Sequence, residues 1–245
     1  MLEGLNTAAA GMAAQQTRID AVANDLANAN TTGYKHLRVG FRDLVYTQAG
    51  RSSAQGPRTG AGVAAIDAGR AFDQGALQRT DQPLDVAIQG EGFLRVKLAD
   101  GSAALTRDGS LHVDGTGRLV TSSGAFVQPA MSLPAGTDPS SVIIGADGAV
   151  TAGGRSLGKL DLVSVRSPQA LQPLGDNVFA TTAASGAARP APAATTLAQG
   201  ALEASNTDVS DAMVTMIESQ RSYQLTSKAI QTADQMWEIA NGVKR

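Results

Sequence analysis

The chain has no cysteine among its 245 residues, so disulfide bonds and thiolate-bound metal ions are excluded. It has only two histidines, His36 and His112, and any histidine-based catalytic or zinc site would have to use one of them. His112 lies in an alternating segment, where an outward-facing strand residue is expected. His36 follows a predicted helix, and we expect it to interact with the terminal carbonyl groups of that helix.

Long hydrophobic runs and an excess of charge of one sign are also missing. No apolar run approaches the roughly 20 residues that span a bilayer. The N-terminus lacks a basic region followed by a continuous apolar segment, so we expect neither membrane insertion nor a cleaved signal peptide. The formal net charge is −2 and no lysine and arginine cluster is present, which argues against a nucleic-acid surface.

Motifs for nucleotide, calcium or catalytic sites are weak. Residues 90–92 (Gly-Glu-Gly) begin like a dinucleotide loop, but the third glycine is missing and a strand follows, so a turn is the favoured interpretation. The Asp-Gly pairs lack the alternating ligands of a calcium loop. No nucleophile has a recognisable base and orienting residue. We predict a protein that is not an enzyme, with no catalytic residue, cofactor or metal ion.

The C-terminal segment has the strongest periodicity in the chain. From Asn206 to Ala240 it contains no glycine or proline, and apolar residues recur every seven positions. This pattern predicts a long helix that lies along another helix. Asn206 or Asp208 is predicted to cap its start, and Gly242 to close its end. The predicted seam consists of Val209, Met216, Tyr223, Ile230 and Trp237.

A second heptad helix is predicted from Leu2 to Asn28, with Gly33 turning the chain away from it. Its seam is thin, so each helix alone should be only marginally ordered in water. The two helices either pack on one globular domain or form a coiled coil that completes its core against neighbouring copies. We favour the second interpretation, because the seams are too poor in bulk to sustain a lone hairpin. The N-terminal seam consists of Leu5, Met12, Ile19 and Leu26.

The middle of the chain changes to a period of two, which is typical of strands. Asp-Gly pairs at 100–101, 108–109, 114–115 and 147–148 predict tight hairpin turns between apolar runs. We therefore predict a β domain of short antiparallel strands. The predicted strands are 85–88, 93–98, 103–106, 110–113, 118–121, 125–127, 142–144, 149–151, 158–165 and 178–181.

The segments on either side of this domain are less regular. Residues 34–46 are either a helical continuation or an extended arm, and 47–62, rich in Gly, Ser, Gln and Arg, are predicted as a loop. Short strands or extended pieces are predicted at 63–66 and 75–80. Residues 183–196 have low complexity and are predicted as an exposed extended loop.

These patterns define an α+β fold class in which terminal heptad helices pair as a coiled coil around a central, mainly antiparallel β domain. The predicted terminal helical domain comprises residues 1–35 and 201–245. Extended connecting segments are predicted at 36–83 and 182–200, and the β domain at 84–181.

Three separated motifs resemble those of bacterial flagellar axial proteins. The N-terminal motif lies within 22–35, a central one covers 84–93 and 106–110, and the C-terminal one lies within 205–236. The resemblance covers nearly the whole chain, and the order of the motifs makes it specific to the basal-body rod protein family. Leu94 departs from it, since the family often has a second Phe there. The motif residues are Asn24, Leu26, Asn28, Thr32, Gly33, Tyr34, Ser205, Asn206, Gln220, Arg221 and Tyr223.

The resemblance implies a structural subunit of the flagellar basal-body rod, which polymerises into the tubular drive shaft that carries torque from motor to hook. It favours the distal rod, with a proximal rod subunit or a hook or junction adaptor as alternatives. The implied partners are further copies of the chain, neighbouring rod and hook proteins, and the flagellar export apparatus. The implied location is the rod crossing the periplasmic space, reached by type III export without a cleaved signal peptide.

Overall fold

The computed structural model divides the chain into two compact units. Unit 1 comprises Met1–Ala27, Leu37–Ala68 and Asp208–Arg245, and unit 2 comprises Asn28–His36 and Gly69–Thr207. Two helices together with a mainly antiparallel set of sheets confirm the predicted α+β class. The structure describes residues 2–44, 47–48, 58–134 and 136–242.

Unit 1 is built around the two helices, α1 (Leu2–Ala27) and α2 (Val209–Gly242), which contact each other. The Asp208 carboxylate caps α2, since it accepts hydrogen bonds from the N–H groups of Ser210 (2.8 Å) and Asp211 (3.3 Å). Of the two predicted caps, Asp208 therefore takes this role. No glycine or proline interrupts α2 before Gly242, which explains its length of 34 residues.

The rest of unit 1 is extended chain. The segment after α1 forms a strand and not a helical continuation, and part of the predicted loop 47–62 is wrong, because its two described ends pair antiparallel. The middle of that loop, 49–57, lies outside the described residues. The first strand pairs with the fourth, which runs into unit 2. These strands are β1 (Leu37–Asp43), β2 (Thr47–Gln48), β3 (Arg58–Thr59) and β4 (Val63–Arg70).

Unit 2 consists of short strands, all paired antiparallel. They are β5 (Leu77–Arg79), β6 (Val86–Gln89), β7 (Phe93–Lys97), β8 (Ala103–Thr106), β9 (Leu111–Val113), β10 (Leu119–Thr121), β11 (Phe126–Val127), β12 (Val142–Ile144), β13 (Ala149–Ala152), β14 (Arg155–Lys159), β15 (Leu162–Ser164), β16 (Gln172–Gly175), β17 (Val178–Ala180), β18 (Arg189–Pro190), β19 (Thr196–Gln199) and β20 (Ala201–Glu203).

The largest sheet runs in the order β16-β17-β8-β7-β11-β10-β9, with β15 joining β7 to β18. A second sheet has the order β12-β13-β14, and two ladders, β6–β19 and β5–β20, connect strands that are far apart in the chain. In β10, β12 and β13 buried residues alternate with less buried ones, as expected for strands with one side against the core. The main core contains Val86, Ile88, Leu94, Leu111, Leu119, Val127, Met131, Val142, Val150, Leu160 and Leu197. Phe93 and Phe179 belong to a second cluster, against which Phe72 packs edge-to-face.

The predicted hairpins are confirmed at three of the four Asp-Gly pairs. Those at 100–101, 114–115 and 147–148 connect β7 to β8, β9 to β10 and β12 to β13. The prediction is wrong at Asp108-Gly109, because β8 pairs with β7 and β17 whereas β9 pairs with β10. Here the carbonyl of Gly109 instead accepts the N–H of Val86 at 3.0 Å, and the pair lies where two backbones meet.

Two other segments differ from prediction. The predicted strand 158–165 is interrupted, because Leu160 is buried and its N–H bonds to the Gly148 carbonyl. The low-complexity segment 183–196 is mostly exposed, as predicted. It nevertheless forms two contacts with the rest of unit 2: β18 pairs with β15, and the Thr195 hydroxyl donates to the Glu91 carbonyl at 2.6 Å. The turn predicted at 90–92 is confirmed between β6 and β7.

Candidate functional site

The predicted seam residues lie in unit 1, on two helices that contact each other. On α2 the three central members of the seam are partly buried, whereas Val209 and Trp237 expose 44% and 37%. Several buried positions of the two helices carry small side chains, namely Ala14 and Ala21 on α1 and Ser219 on α2, and small side chains permit close approach of helix backbones. The partly buried seam residues are Leu5, Met12, Ile19, Leu26, Met216, Tyr223 and Ile230.

A row of exposed apolar side chains runs along α2, interspersed with charged side chains such as Glu218 and Arg221. Val214, Leu225 and Met236 are 55%, 69% and 59% exposed. They are spaced eleven residues apart, so they share one face of a straight helix. At 100° per residue this face is nearly opposite the partly buried seam. The sequence analysis did not predict this row.

The N-terminal and C-terminal family motifs meet in unit 2. The N–H of Gly33 donates to the carbonyl of Glu203 at 2.8 Å. The side chain of Asn206 accepts the N–H of His36 at 2.9 Å and donates to the carbonyl of Ala71 at 2.8 Å. The Nδ1 atom of His36 lies 3.2 Å from the same Asn206 oxygen, so the predicted contact of His36 with helix carbonyls is wrong. Asn206 joins three separate stretches of backbone.

Gly33 occupies a position that only glycine fits. Its φ is +67°, and a Cβ there would lie 2.9 Å from the backbone nitrogen of Asp108. The neighbouring Thr32 hydroxyl donates to the Asp108 carboxylate at 3.2 Å, and its carbonyl accepts from the Asn177 amide at 2.8 Å. The motif residues Thr32 and Gly33 thus fix the start of unit 2 against β8 and the turn before β17.

A buried charge cluster adjoins this crossing. The ammonium of Lys35 lies 2.6 Å from one oxygen of the Glu203 carboxylate and donates to the Asp73 carbonyl at 2.7 Å. Arg107 Nε lies 3.0 Å from the other carboxylate oxygen. The N–H of Gly75 donates to the same oxygen as Lys35, at 2.9 Å. The Lys35 and Glu203 side chains are fully buried and that of Arg107 is 3% exposed.

The cluster contains two cations and one carboxylate. Burial lowers the pKa of the Lys35 ammonium below its ordinary value, although the charge of Glu203 and its hydrogen bond act in the opposite direction. The guanidinium of Arg107 also donates to the carbonyl of Gly90 at 2.8 Å and stacks over the ring of Phe93, 5.9 Å from its centroid. Hydrogen bonds to backbone carbonyls therefore offset part of the surplus positive charge.

The remaining motif residues are more dispersed. Asn28 closes the turn after α1, where it accepts hydrogen bonds from the N–H and the hydroxyl of Thr31. Ser205 donates to the hydroxyl of Thr207 at 3.0 Å, just before α2. Asn24 and Leu26 lie on α1, and Gln220, Arg221 and Tyr223 lie on α2. The structure brings the motif residues Tyr34 and Asn206 together, since the N–H of Asn206 donates to the carbonyl of Tyr34 at 3.4 Å.

The predictions also cover histidine, metal-binding and membrane-spanning sites. His112 is exposed on β9, as predicted. Among the described residues, no group of three His, Asp or Glu side chains could hold a metal ion, and none of the described helices combines the length and apolar character needed to cross a membrane.

Sequence reasoning missed the charge cluster. Lys35 and Arg107 both stand inside recognised motifs, but their partner Glu203 is 168 residues beyond Lys35 and 96 beyond Arg107. No local pattern connects them. Only the low frequency of charged residues in strands could have drawn attention to Glu203, at the end of β20.

Three family models match the chain. Residues 5–35 match the model described as flagella basal body rod protein, and 87–152 match the D1 domain of the flagellar hook protein FlgE/F/G. Residues 198–243 match the C-terminal model of the flagellar basal body rod FlgEFG protein.

Full-length relatives agree with these matches. The flagellar basal-body rod protein FlgG of Borreliella burgdorferi is 40% identical, with all of both chains covered. The protein of the same name from Buchnera aphidicola (Schizaphis graminum) is 39% identical, over 96% of this chain and 97% of its own. The flagellar hook-basal body complex protein FlhP of Bacillus subtilis is 34% identical over both complete chains. The predicted structural role in the rod is confirmed, and the chain belongs to the flagellar basal-body rod protein family.

Proposed function

We propose that this protein is a subunit of the distal rod, and that it polymerises through its terminal helices into the tube that transmits torque from motor to hook. The observation that carries the proposal is that α2 has apolar side chains on two sides. One set lies on the partly buried seam, and the other, Val214, Leu225 and Met236, forms an exposed row interspersed with charged residues. A single chain leaves this exposed row in water, which favours association.

The terminal helices supply the contacts. We propose that α1 and α2 pair as a coiled coil through the seven-residue seams, and that 1–35 and 201–245 act together as the assembly domain. Residues 84–181 then form the β domain and 36–83 and 182–200 the connecting segments. The exposed face of α2 would bind a different surface of the next copy. Such a head-to-tail contact does not close on itself and grows a helical polymer.

The location and further partners follow from the family. We propose that the chain lies in the rod where it crosses the periplasmic space, contacts neighbouring rod and hook proteins, and reaches this place through the flagellar export apparatus without a cleaved signal peptide. The net charge of −2 supports partners other than nucleic acid. The apolar face of α2 is broken by charged residues such as Arg221 and Lys228, which supports a protein partner over insertion into a bilayer.

The test compares Leu225→Glu with Leu174→Glu, the same change at a 50% exposed leucine on β16 of unit 2. Concentrated wild-type protein should form straight filaments or tubes in electron micrographs and should sediment as polymer. Leu225→Glu should stay monomeric with unchanged helix content, because a charge on the exposed face opposes its burial. Leu174→Glu should polymerise like the wild type.

Polymerisation of Leu225→Glu at the wild-type concentration would contradict the proposed contact. A wild-type chain that stays monomeric at high concentration would favour the alternative of a hook or junction adaptor, which joins two different assemblies and needs no contact with its own copies.

A further inference from the structure

The structure points to a folding lock in unit 2, closed by one carboxylate. We propose that Glu203 completes the packing of residues 33–36, 72–75 and 104–107, and that these segments reach their final arrangement only when the segment carrying Glu203 joins them. A chain delivered from its N-terminus would then keep this part of unit 2 open until residue 203 has arrived.

The inference rests on the charges of Lys35, Arg107 and Glu203. Lys35 and Arg107 are both buried, and each has one carboxylate within ion-pair distance among the described residues, that of Glu203. Burying a cation without a nearby anion is costly, and breaking a buried pair by removing one partner is strongly destabilising. Until Glu203 arrives, two cations oppose closure of the site.

The backbone contacts of the same residue extend the lock to three segments. Glu203 accepts the N–H of Gly75 on its carboxylate and the N–H of Gly33 on its carbonyl. Its carboxylate forms ion pairs with Lys35 and with Arg107, which follows β8 directly. One residue therefore satisfies groups from three stretches of chain that all precede it by more than 90 positions. This lock operates in a single chain, so its failure would leave the proposed assembly untouched.

The first experiment compares Glu203→Gln with Asp161→Asn in the full chain. Both changes replace a carboxylate by its amide, but the Arg95–Asp161 pair is 40% and 38% exposed. Hydrogen exchange followed by mass spectrometry should show opening of 33–36, 72–75 and 104–107 at least about a hundredfold more often in Glu203→Gln. Asp161→Asn should change exchange by no more than a few-fold. Wild-type exchange in those segments of Glu203→Gln would overturn the lock.

The second experiment separates charge from shape. The triple variant Lys35→Met, Arg107→Met and Glu203→Met removes all three charges and keeps similar side-chain volume. It should fold and protect the three segments even if Glu203→Gln does not fold, because an apolar cluster can replace a buried ion triad. Failure of the triple variant to fold would overturn the inference.

The third experiment measures the order of events. In pulsed exchange during refolding, 33–36, 72–75 and 104–107 of the wild type should gain protection together with 201–206, and later than the sheet β12-β13-β14. In the triple variant, 104–107 should be protected earlier, whereas 33–36 still needs the Glu203 carbonyl and the Asn206 side chain. The β5–β20 ladder is made by backbone groups and is kept in that variant. If protection of 104–107 is as late in the triple variant as in the wild type, the ladder and not the charge of Glu203 sets the order, and the lock is rejected.

Discussion

The side-chain oxygen of Asn206 accepts a hydrogen bond of 2.9 Å from the backbone N–H of His36, 170 positions earlier in the chain. The amide nitrogen of the same side chain donates to the carbonyl of Ala71. One amide group thus satisfies a donor and an acceptor on two other segments, each of which would otherwise be left without its partner. This makes Asn206 a structural residue of unit 2, next to the capped start of α2 in the sequence.

Asn206→Ala should destabilise unit 2 by about 2–3 kcal/mol, because two partly buried backbone groups lose their hydrogen bonds. Urea unfolding followed by near-ultraviolet circular dichroism measures the change. Asn30→Ala is the control, since Asn30 is exposed in the turn after α1 and its loss should cost less than about 0.5 kcal/mol. Equal stability of the two variants would show that the Asn206 contacts contribute little.

Gly109→Ala should cost about 3 kcal/mol, because a Cβ at this position would lie 1.6 Å from the carbonyl oxygen of Val86. Gly115 belongs to another Asp-Gly pair, and a Cβ there meets no atom within 4 Å. Gly115→Ala should therefore stay within about 0.5 kcal/mol of the wild type. Thermal unfolding of both variants checks the contrast, and a stable Gly109→Ala would mean that the two backbones separate easily.

Asp114 should titrate far below an ordinary aspartate. Hydrogen bonds from the hydroxyl of Thr116 and the N–H of Arg118 hold the pKa of its carboxyl at about 2, against an ordinary value of 3.8. Since the folded-state pKa is depressed, the stabilisation is fully present above about pH 4 and is lost as the pH falls towards 2. Carboxyl chemical shifts in a pH titration measure this, and a midpoint near 3.8 would contradict the turn geometry.

Gln15→Met should stabilise the helix pair by about 1 kcal/mol. The Oε1 atom of Gln15 is buried and has no hydrogen-bond partner among the described residues, and an unsatisfied polar atom costs more than an apolar group of the same shape. Gln16→Met is the control, because Gln16 is exposed and donates to Asp20. Helix unfolding followed at 222 nm and by the fluorescence of Trp237 should show the difference, and loss of stability in Gln15→Met would indicate that this polar group is needed.

Much of the fold follows from local patterns. The seven-residue repeats predicted both helices to within a few residues, because no glycine or proline interrupts α2 and Gly33 stands beyond the end of α1. The hairpins at 100–101 and 147–148 were predicted for a similar reason, since Gly101 and Gly148 both adopt positive φ. Where a turn joins neighbouring strands, its own residues determine the geometry.

The features that were not predicted from the sequence share a different cause. At Asp108-Gly109 the same residue pair forms no hairpin, because the backbone of Val86 packs against it from another part of the chain. β18, in the low-complexity segment, and β19 and β20, which follow it, were not predicted, since their pairing partners β15, β6 and β5 lie far away in the sequence. The buried charge of Glu203 is likewise stabilised by residues distant in sequence. Long-range partners decide these features, and a local window does not contain them.

The two apolar rows of α2 have different repeats. The row through Met216, Tyr223 and Ile230 advances by seven residues and drifts in one sense around the helix, whereas the row through Val214, Leu225 and Met236 advances by eleven and drifts in the other. In the proposed assembly, a neighbour on the seven-residue row would favour left-handed winding of α2, and a neighbour on the eleven-residue row would favour right-handed winding. The two tendencies would oppose each other and keep the helix axis straight, which suits a part that must turn without flexing.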